Sequence, residues 1–323
     1  MRLATFNLES FGDDRFQPEK LSRRLDVLRP RLTELDADIL CLQEVNAQKP
    51  QGERFRDFAA LDLLLEDTPY RDFHRAASLR ADMAGPMDRH NLLVLSRFPI
   101  DDVQVLHDAR VTPPLWLPQT VELPDGQPYE LGFDRPILQV RLNIGGDKPL
   151  HVLVVHLRAP IAAALPGGKL NASTWKTTPS WAEGYFAATV KRIAQALDAR
   201  LAIDALLDAD PEAMIAVAGD FNATGDASAL RLLSADPEDT GNPELQYRRL
   251  YQLDASLPRG KRQTVIHNGR GQTLDHILAS ARLRDRMTDI SVYNNGLADE
   301  VIDSGTDAAH GSFHAAICAT FDL

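Results

Sequence analysis

The sequence predicts an α/β protein made of two β-sheets packed face to face, with helices outside. Three observations carry this expectation. Apolar runs that read as strands outnumber the helical stretches, and the helical stretches fall between groups of strands. Nearly every strand also carries, at one end, a polar residue able to bind a metal or move a proton.

The elements follow in order. Residues 3–8 alternate and are expected to form a strand ending at Asn7. Leu21, Leu25, Leu28 and Leu32 recur at helical spacing over residues 18–35, with Pro30 expected to kink or break the helix late. Residues 38–45 are apolar until Gln43-Glu44, the pattern of a strand buried on both faces that ends polar. A short helix over 55–65, a strand over 70–79, a strand over 91–96 and an edge strand over 103–106 come next. Pro113, Pro114, Pro118, Pro124 and Pro128 make residues 111–135 irregular surface chain or a small hairpin around Asp125-Gly126. Residues 137–144 and 150–156 read as a hairpin across Gly145-Gly146. A long loop over 159–180 precedes the longest helix, 181–207, which keeps Phe186, Val190, Ile193, Leu197, Leu201 and Ala205 close to one face. The apolar run Ile215-Ala216-Val217-Ala218-Gly219-Asp220 is a buried strand, and a short helix is expected over 226–233. Residues 236–264 read mostly as loop, and strands at 273–279, 290–293 and 315–321 close the chain.

At 323 residues, 44% hydrophobic and 25% charged, the chain can bury a large core as one elaborated domain or two compact ones. A net charge of −11 repels polyanions at long range and counts against tight non-specific binding to duplex DNA, while leaving room for a local basic groove. Cys41 and Cys318 both sit in strand-like apolar runs. Buried free thiols are the default reading, and a disulfide between neighbouring strands stays open. The first strand begins at once with no signal-peptide pattern, and no apolar run reaches transmembrane length, so a cytoplasmic location without a membrane span is expected.

The strand-end residues are Asn7, Glu44, His156, Asp220, Asn222, Asp275 and His314. Asp220 and Asn222 lie two apart, on one side if the strand persists, where a carboxylate and an amide can hold an attacking oxygen or a metal-bound water. Each residue alone is bland: a strand-end Asp is commonly a turn former, and a lone His a hydrogen-bonded core residue. The set, in this order, is the signal.

The set resembles the endonuclease/exonuclease/phosphatase superfamily, with its deoxyribonuclease-like fold. The matching segments are Thr5-Phe6-Asn7, Leu42-Gln43-Glu44-Val45, Asn91 through Ser96-Arg97-Phe98-Pro99-Ile100, Val155-His156-Leu157, Gly219-Asp220-Phe221-Asn222, Leu274-Asp275-His276-Ile277-Leu278 and Ser312-Phe313-His314, so the resemblance covers nearly the whole chain. It implies a single domain over 1–323, a four-layer α/β sandwich of two mixed sheets flanked by helices, and hydrolysis of a phosphate ester dependent on a divalent metal, Mg or Mn. By resemblance, Asn7, Glu44 and Asp220 are metal-site residues. Asp220 orients or deprotonates the water, and Asn222 holds the phosphate or that water. His156 and His314 donate to phosphate oxygens or the leaving group, and Asp275 orients His314 and favours its protonated form. Arg158, two residues after His156, is a candidate phosphate clamp or a plain surface arginine.

One position departs from the pattern. The family places an acid immediately before the last histidine, and here that residue is Phe313, which cannot bind a metal. Glu300, Asp303 and Asp307 on the preceding loop are the alternative acids. The resemblance leaves the substrate open. A nuclease or nucleotide-type phosphodiesterase leads, a phosphomonoesterase or phospholipid-directed hydrolase is the alternative on the same fold, and a non-catalytic phosphate-binding module is the alternative of another class. Oligomeric state is not encoded in these features. Substrate choice is expected in the loops 107–135 and 159–180, where Lys169, Trp175, Lys176 and Trp181 offer stacking and charge or, in the plainer reading, packing under a lid.

Overall fold

The structure is a computed structural model that describes every residue except 13–16, 51, 53, 124 and 306–310. Its first half runs β1 (Arg2–Phe11), α1 (Pro18–Leu35), β2 (Ile39–Val45), α2 (Ala59–Leu65), β3 (His74–Ala77), β4 (Asn91–Ser96) and β5 (Ile100–Leu106). The middle holds β6 (Leu115–Trp116), β7 (Tyr129–Glu130), β8 (Ile137–Leu142), β9 (Leu150–His156), α3 (Thr178–Ala209) and β10 (Met214–Asp220). The last third holds α4 (Ser228–Ser234), α5 (Pro237–Thr240), β11 (Leu250–Gln252), β12 (Val265–His267), β13 (Arg270–Gln272), β14 (Asp275–Ser280), α6 (Ala281–Arg284), β15 (Met287–Tyr293) and β16 (Ala316–Phe321).

Among the described residues two six-stranded sheets form, in the orders β15-β16-β1-β2-β4-β3 and β11-β14-β10-β9-β8-β5. Both are mixed: β1 is parallel to β2, and β9 to β10, while their other neighbours run antiparallel. Alternation along the strands divides the core into three. Leu3, Ile39, Cys41 and Val94 of the first sheet meet Val140, Val152, Val154, Ala216, Ala218 and Ile277 of the second between the sheets. The opposite faces bury Ala4, Phe6, Leu40 and Leu42 under α1 and α2, and Leu153, Val155, Ile215 and Val217 under α3 and α4. The result is the four-layer α/β/β/α sandwich, its central strands apolar on both faces because both faces are covered.

Several elements differ from expectation in detail. Helix α1 continues through Pro30, because Leu28, Leu32 and Leu35 on its inner face are fully buried and that packing outweighs one lost backbone hydrogen bond. Helix α2 starts only at Ala59, since Asp57 is bridged to Gln48 by paired backbone hydrogen bonds. The segment 70–79 opens as a single 3-10 turn, Pro69–Asp72, before β3. The segment 236–264 contributes β11, an edge strand of the second sheet. The hairpin β12–β13 was not expected, although it turns on Asn268-Gly269, both left-handed (φ 48° and 75°), the strongest short hairpin signal available.

Cys41 lies opposite Thr5 on one side of β1, and Cys318 opposite Ala4 on the other. Both are free and buried, in different core layers, which removes the disulfide alternative. Among the described residues no helix is long and apolar enough to cross a membrane.

Candidate active site

Three adjacent strands of the second sheet end in register. Asp220 of β10 lies opposite His156 of β9 and opposite Asp275 of β14. Val154, Ala218 and Ile277, each two residues away, face the space between the sheets, so the pleat brings His156, Asp220 and Asp275 to the mouth of that space. The three strands lie so close that Gly219 (φ 149°) has no room for a side chain: a Cβ there would sit 1.9 Å from the Val155 carbonyl oxygen.

The first sheet faces them with Asn7 and Glu44. Asn7 follows Leu3 and Thr5 on the inward face of β1 by alternation. Glu44 does not. Leu40 and Leu42 point outward, and a regular pleat would send Glu44 the same way. A left-handed backbone at Glu44 (φ 58°) breaks the alternation, the pairing of β2 with β4 shifts register between Leu42 and Val45, and Val45 drops into the outer layer instead. Local strain thus turns the carboxylate towards the mouth.

The side chains interlock. Asn7 Nδ2 donates to Asp220 Oδ2 (3.1 Å) and to Glu44 Oε1 (3.4 Å), while its Oδ1 accepts from the Glu9 N–H (2.9 Å). The amide therefore bridges two carboxylates with its nitrogen and spends its oxygen on the backbone. The Ser10 N–H and hydroxyl both donate to Glu44 Oε2, at 3.0 and 3.2 Å. His156 Nε2 stands 3.5 Å from Glu44 Oε1 and 3.4 Å from Asp220 Oδ2. Strand β10 ends at Asp220, and Asn222 is left-handed (φ 49°), so the two meet through a turn rather than along a pleat: the Asn222 N–H donates to Asp220 Oδ1 (2.8 Å) and Nδ2 to Asp220 Oδ2 (3.1 Å). His314 Nδ1 lies 2.8 Å from Asp275 Oδ2.

Arg158 is not brought into this cluster. Its guanidinium donates to Asp134 Oδ2 (2.9 Å) and to the Ile161 carbonyl (3.3 Å). Two residues the sequence reading passed over are brought in. His90 Nδ1 stands 3.4 Å from Glu44 Oε2, and its ring meets that of His156 edge to face at 6.1 Å. Arg135 is a half-buried cation whose charge acts on Glu44 and Asp220. Both precede strands that run antiparallel to β2 and β9, so their N-terminal ends share an edge with the C-terminal ends of β2 and β9.

Phe313 is buried, and its N–H donates to Glu9 Oε2 (2.8 Å), so the acid beside this position comes from β1. Of the alternative acids, Glu300 is engaged by His267, and Asp303 Oδ2 accepts from the Asp299 N–H (2.7 Å). Asp307 lies outside the described residues.

Burial and crowding set the proton affinities. Burial, then the like charge of Asp275, pushes Asp220 up to about 7. Burial alone would lower His314, but Asp275, with Asp220 and Glu44 behind it, raises it to about 10. Burial and the Arg135 cation hold His156 well below the usual imidazole range. Burial would raise Glu44, yet the facing imidazoles of His90 and His156 and the Arg135 charge keep it low. The cluster thus pairs an acid that titrates near neutrality with an imidazolium that persists above it.

Residues 4–292 match the model of the Endonuclease/Exonuclease/phosphatase family. The chain belongs to the endonuclease/exonuclease/phosphatase family. It is by that membership a metal-dependent phosphoric ester hydrolase. Among curated proteins none matches the sequence. Solved structures similar to this family member include truncated TDP2 of Caenorhabditis elegans (16% identity, 100% of this chain and 98% of that one, TM-score 0.55). The 3' phosphatase NExo from Neisseria, bound to a product DNA hairpin, is similar at 18% identity over 100% of both chains, with a TM-score of 0.52. An AP endonuclease from Archaeoglobus fulgidus matches at 16% identity over 100% of both chains, TM-score 0.52. At these identities the likeness is one of fold.

Proposed function

We propose that this family member is a phosphodiesterase dependent on Mg or Mn, acting on nucleic acid or a nucleotide-like diester. The observation that carries the reading is the convergence of Glu44, His156, Asp220 and the Asp275–His314 pair, with Arg135 behind them, at one mouth between the sheets. Beside it lies an open cleft of about 490 Å³ whose charged lining is Arg56, Arg80 and Arg135 against Asp88 and Asp134, with His107 beside them, a slight cationic excess on an acidic protein. Such a groove suits a substrate with more than one phosphate or a sugar-phosphate backbone.

The donor set fits a hard divalent cation. Glu44, Asp220 and Asp275 bring carboxylates together, Asp275 Oδ1 is buried without a hydrogen-bond partner, and Asp220 is raised by burial and then by its negative neighbours. Glu44 would hold the cation, with Asp220 beside it. Asn7 would contribute its oxygen only after a ring of hydrogen bonds rearranged, so its more direct role is to space the Asp220 and Glu44 carboxylates. When bound, the cation neutralises charge on the phosphate and the leaving oxygen.

The protein's own groups then divide the work. Asp220, titrating near neutrality, takes the proton of the attacking water, and Asn222 fixes the Asp220 carboxylate from both sides. His314, kept protonated by Asp275, gives a hydrogen bond or a proton to the departing oxygen. Neutral His156 and cationic Arg135 steady the non-bridging oxygens. Arg158 is left as a peripheral contact reached through Asp134. We infer also that residues 1–323 form one domain, since the two sheets share one core, and that the free buried cysteines suit a cytoplasmic location.

The test uses bis-p-nitrophenyl phosphate and the monoester in parallel, with Mg or Mn, then nicking of supercoiled plasmid. Diester cleavage abolished by EDTA and by Glu44→Ala is expected; release of phosphate from the monoester alone would overturn the diesterase reading. That second reading, a phosphomonoesterase, is favoured by the NExo likeness and by the overall charge of −11.

A further inference from the structure

We infer that Glu44, His90 and His156 form a binding site for a transition-metal ion of the zinc class, distinct in chemistry from a Mg-type site and exclusive with it because the two share Glu44. One ligand atom from each of the three can be chosen so that all lie within 4.8 Å of one another. Each oxygen of the one carboxylate faces a different imidazole nitrogen: Oε2 faces His90 Nδ1 at 3.4 Å, and Oε1 faces His156 Nε2 at 3.5 Å. Zinc bonds to nitrogen and oxygen of about 2.1 Å in a tetrahedron put neighbouring ligand atoms about 3.4 Å apart. Each of the two oxygen–nitrogen gaps therefore has about the length of a tetrahedral edge, and a turn of the carboxylate would present one oxygen to both nitrogens.

The His156 side chain is 1% exposed and turns Nε2 towards Glu44, while its other ring nitrogen, Nδ1, is buried without a hydrogen-bond partner and points away from the proposed ion. His90 Nδ1 is likewise buried with no hydrogen-bond partner. The ring is held there from behind: His90 is left-handed (φ 57°), and its N–H donates to Asn46 Oδ1 (3.0 Å). Asn46 Nδ2 donates in turn to the carbonyl of Ser10, the residue whose N–H and hydroxyl hold Glu44 (3.2 Å for the Asn46 bond). One small network thus fixes both Glu44 and His90. Two imidazoles and one carboxylate suit zinc, cobalt or nickel, and disfavour magnesium, which wants oxygen ligands and retained water.

The metal-binding claim stands on these residues; only its consequence, that zinc competes with the activating ion, rests on the proposed Mg- or Mn-dependent diesterase reading. The test titrates the EDTA-stripped full chain with Co2+, read by visible d–d absorption, and with Zn2+ and Mg2+ by calorimetry. The expected result is a Co2+ spectrum of four- or five-coordinate type, Zn2+ binding far tighter than Mg2+, and a loss of at least about 100-fold in Zn2+ affinity in His90→Ala with Mg2+ affinity little changed. His90→Gln, which keeps a polar side chain of similar reach, serves as a second variant, and circular dichroism checks that both fold. Zn2+ binding in folded His90→Ala or His90→Gln equal to wild type would overturn the inference, as would an octahedral Co2+ spectrum. Tight, His90-dependent Zn2+ binding in a protein without diesterase activity would uphold this site and sink the diesterase proposal alone.

Discussion

Replacing Asp275 by Asn keeps the shape of the Asp275–His314 contact and removes its charge. In the wild type that carboxylate, 2.8 Å from Nδ1, raises His314 from 6.5 to about 10 against the opposing effect of burial. Without it only the Asp220 and Glu44 charges oppose burial, and His314 should fall back towards its ordinary value of 6.5. At about pH 8, a group with pKa 6.5 is protonated in roughly one molecule in 30, where the wild type is almost fully protonated. Asp220 shifts as well, because it loses a like charge that had raised it, so its requirement for deprotonation moves to lower pH. The whole pH–rate profile should slide towards acid, with kcat for bis-p-nitrophenyl phosphate about 30-fold down at pH 8 and the deficit closing below about pH 6. The sign for stability is that of a raised histidine: the contribution is full below 6.5 and is lost as pH rises towards about 10, so wild-type thermal stability should fall across that window and that of Asp275→Asn should not. Imidazole resonances of the metal-free protein give the His314 midpoint independently of turnover. A deficit equal at all pH values, or a His314 midpoint unmoved by the substitution, would refute the reasoning.

Gly219→Ala should destabilise the fold by roughly 2–4 kcal/mol, a fall of several degrees in Tm, because the new Cβ would overlap the Val155 carbonyl; a melt within a degree of wild type would contradict the close approach. Saturating Mg or Mn should raise Tm, by an amount equivalent to about 2.7 kcal/mol at a hundredfold excess over Kd, and the rise should vanish in Glu44→Gln; differential scanning fluorimetry decides it. Glu183 accepts from Trp116 Nε1 (3.0 Å), the Gln119 N–H (2.8 Å) and the Thr120 N–H (2.9 Å), so it ties the 107–135 segment to α3. Glu183→Ala should therefore expose that segment to limited proteolysis while small diesters are still cleaved, and unchanged digestion would show that the segment is held by something else.

Much of the site was legible because the second sheet is regular. Strands β9 and β10, ending at His156 and Asp220, and β14, beginning at Asp275, keep period-2 alternation up to these residues, so an apolar run with a polar end says both where the residue sits and which way it faces. What the sequence concealed is the route by which residues reach the candidate site where alternation fails. Glu44 reaches the mouth through a left-handed residue, His90 stands on another, and Asn222 meets Asp220 through a third. None of the three is a glycine, so composition gives no warning of the turn. Arg135 was hidden for a different reason, since its neighbour Arg158 stands closer in sequence to a recognised histidine yet is drawn off by Asp134.

These irregularities share a cause. Glu9, Ser10, Glu44, His90 and Asn222 are all left-handed, and all touch the same few carboxylates or their immediate partners. Each such residue costs on the order of 1–3 kcal/mol and persists only where surrounding structure over-determines it. Here the fully packed layers on both faces of each sheet supply that constraint. The same packing holds Asp220 beside Asp275 and Glu44 in a space too dry to screen them, which is why Asp220 rises to about 7. A cation entering the mouth would relieve that repulsion without moving the backbone. The loss of an acid at 313 is tolerable on this view, because Glu9 already stands against the Phe313 N–H and the remaining negative charge is concentrated enough to hold an ion. What the fold stores as strain and crowded charge in the free protein becomes, on this argument, affinity for the metal.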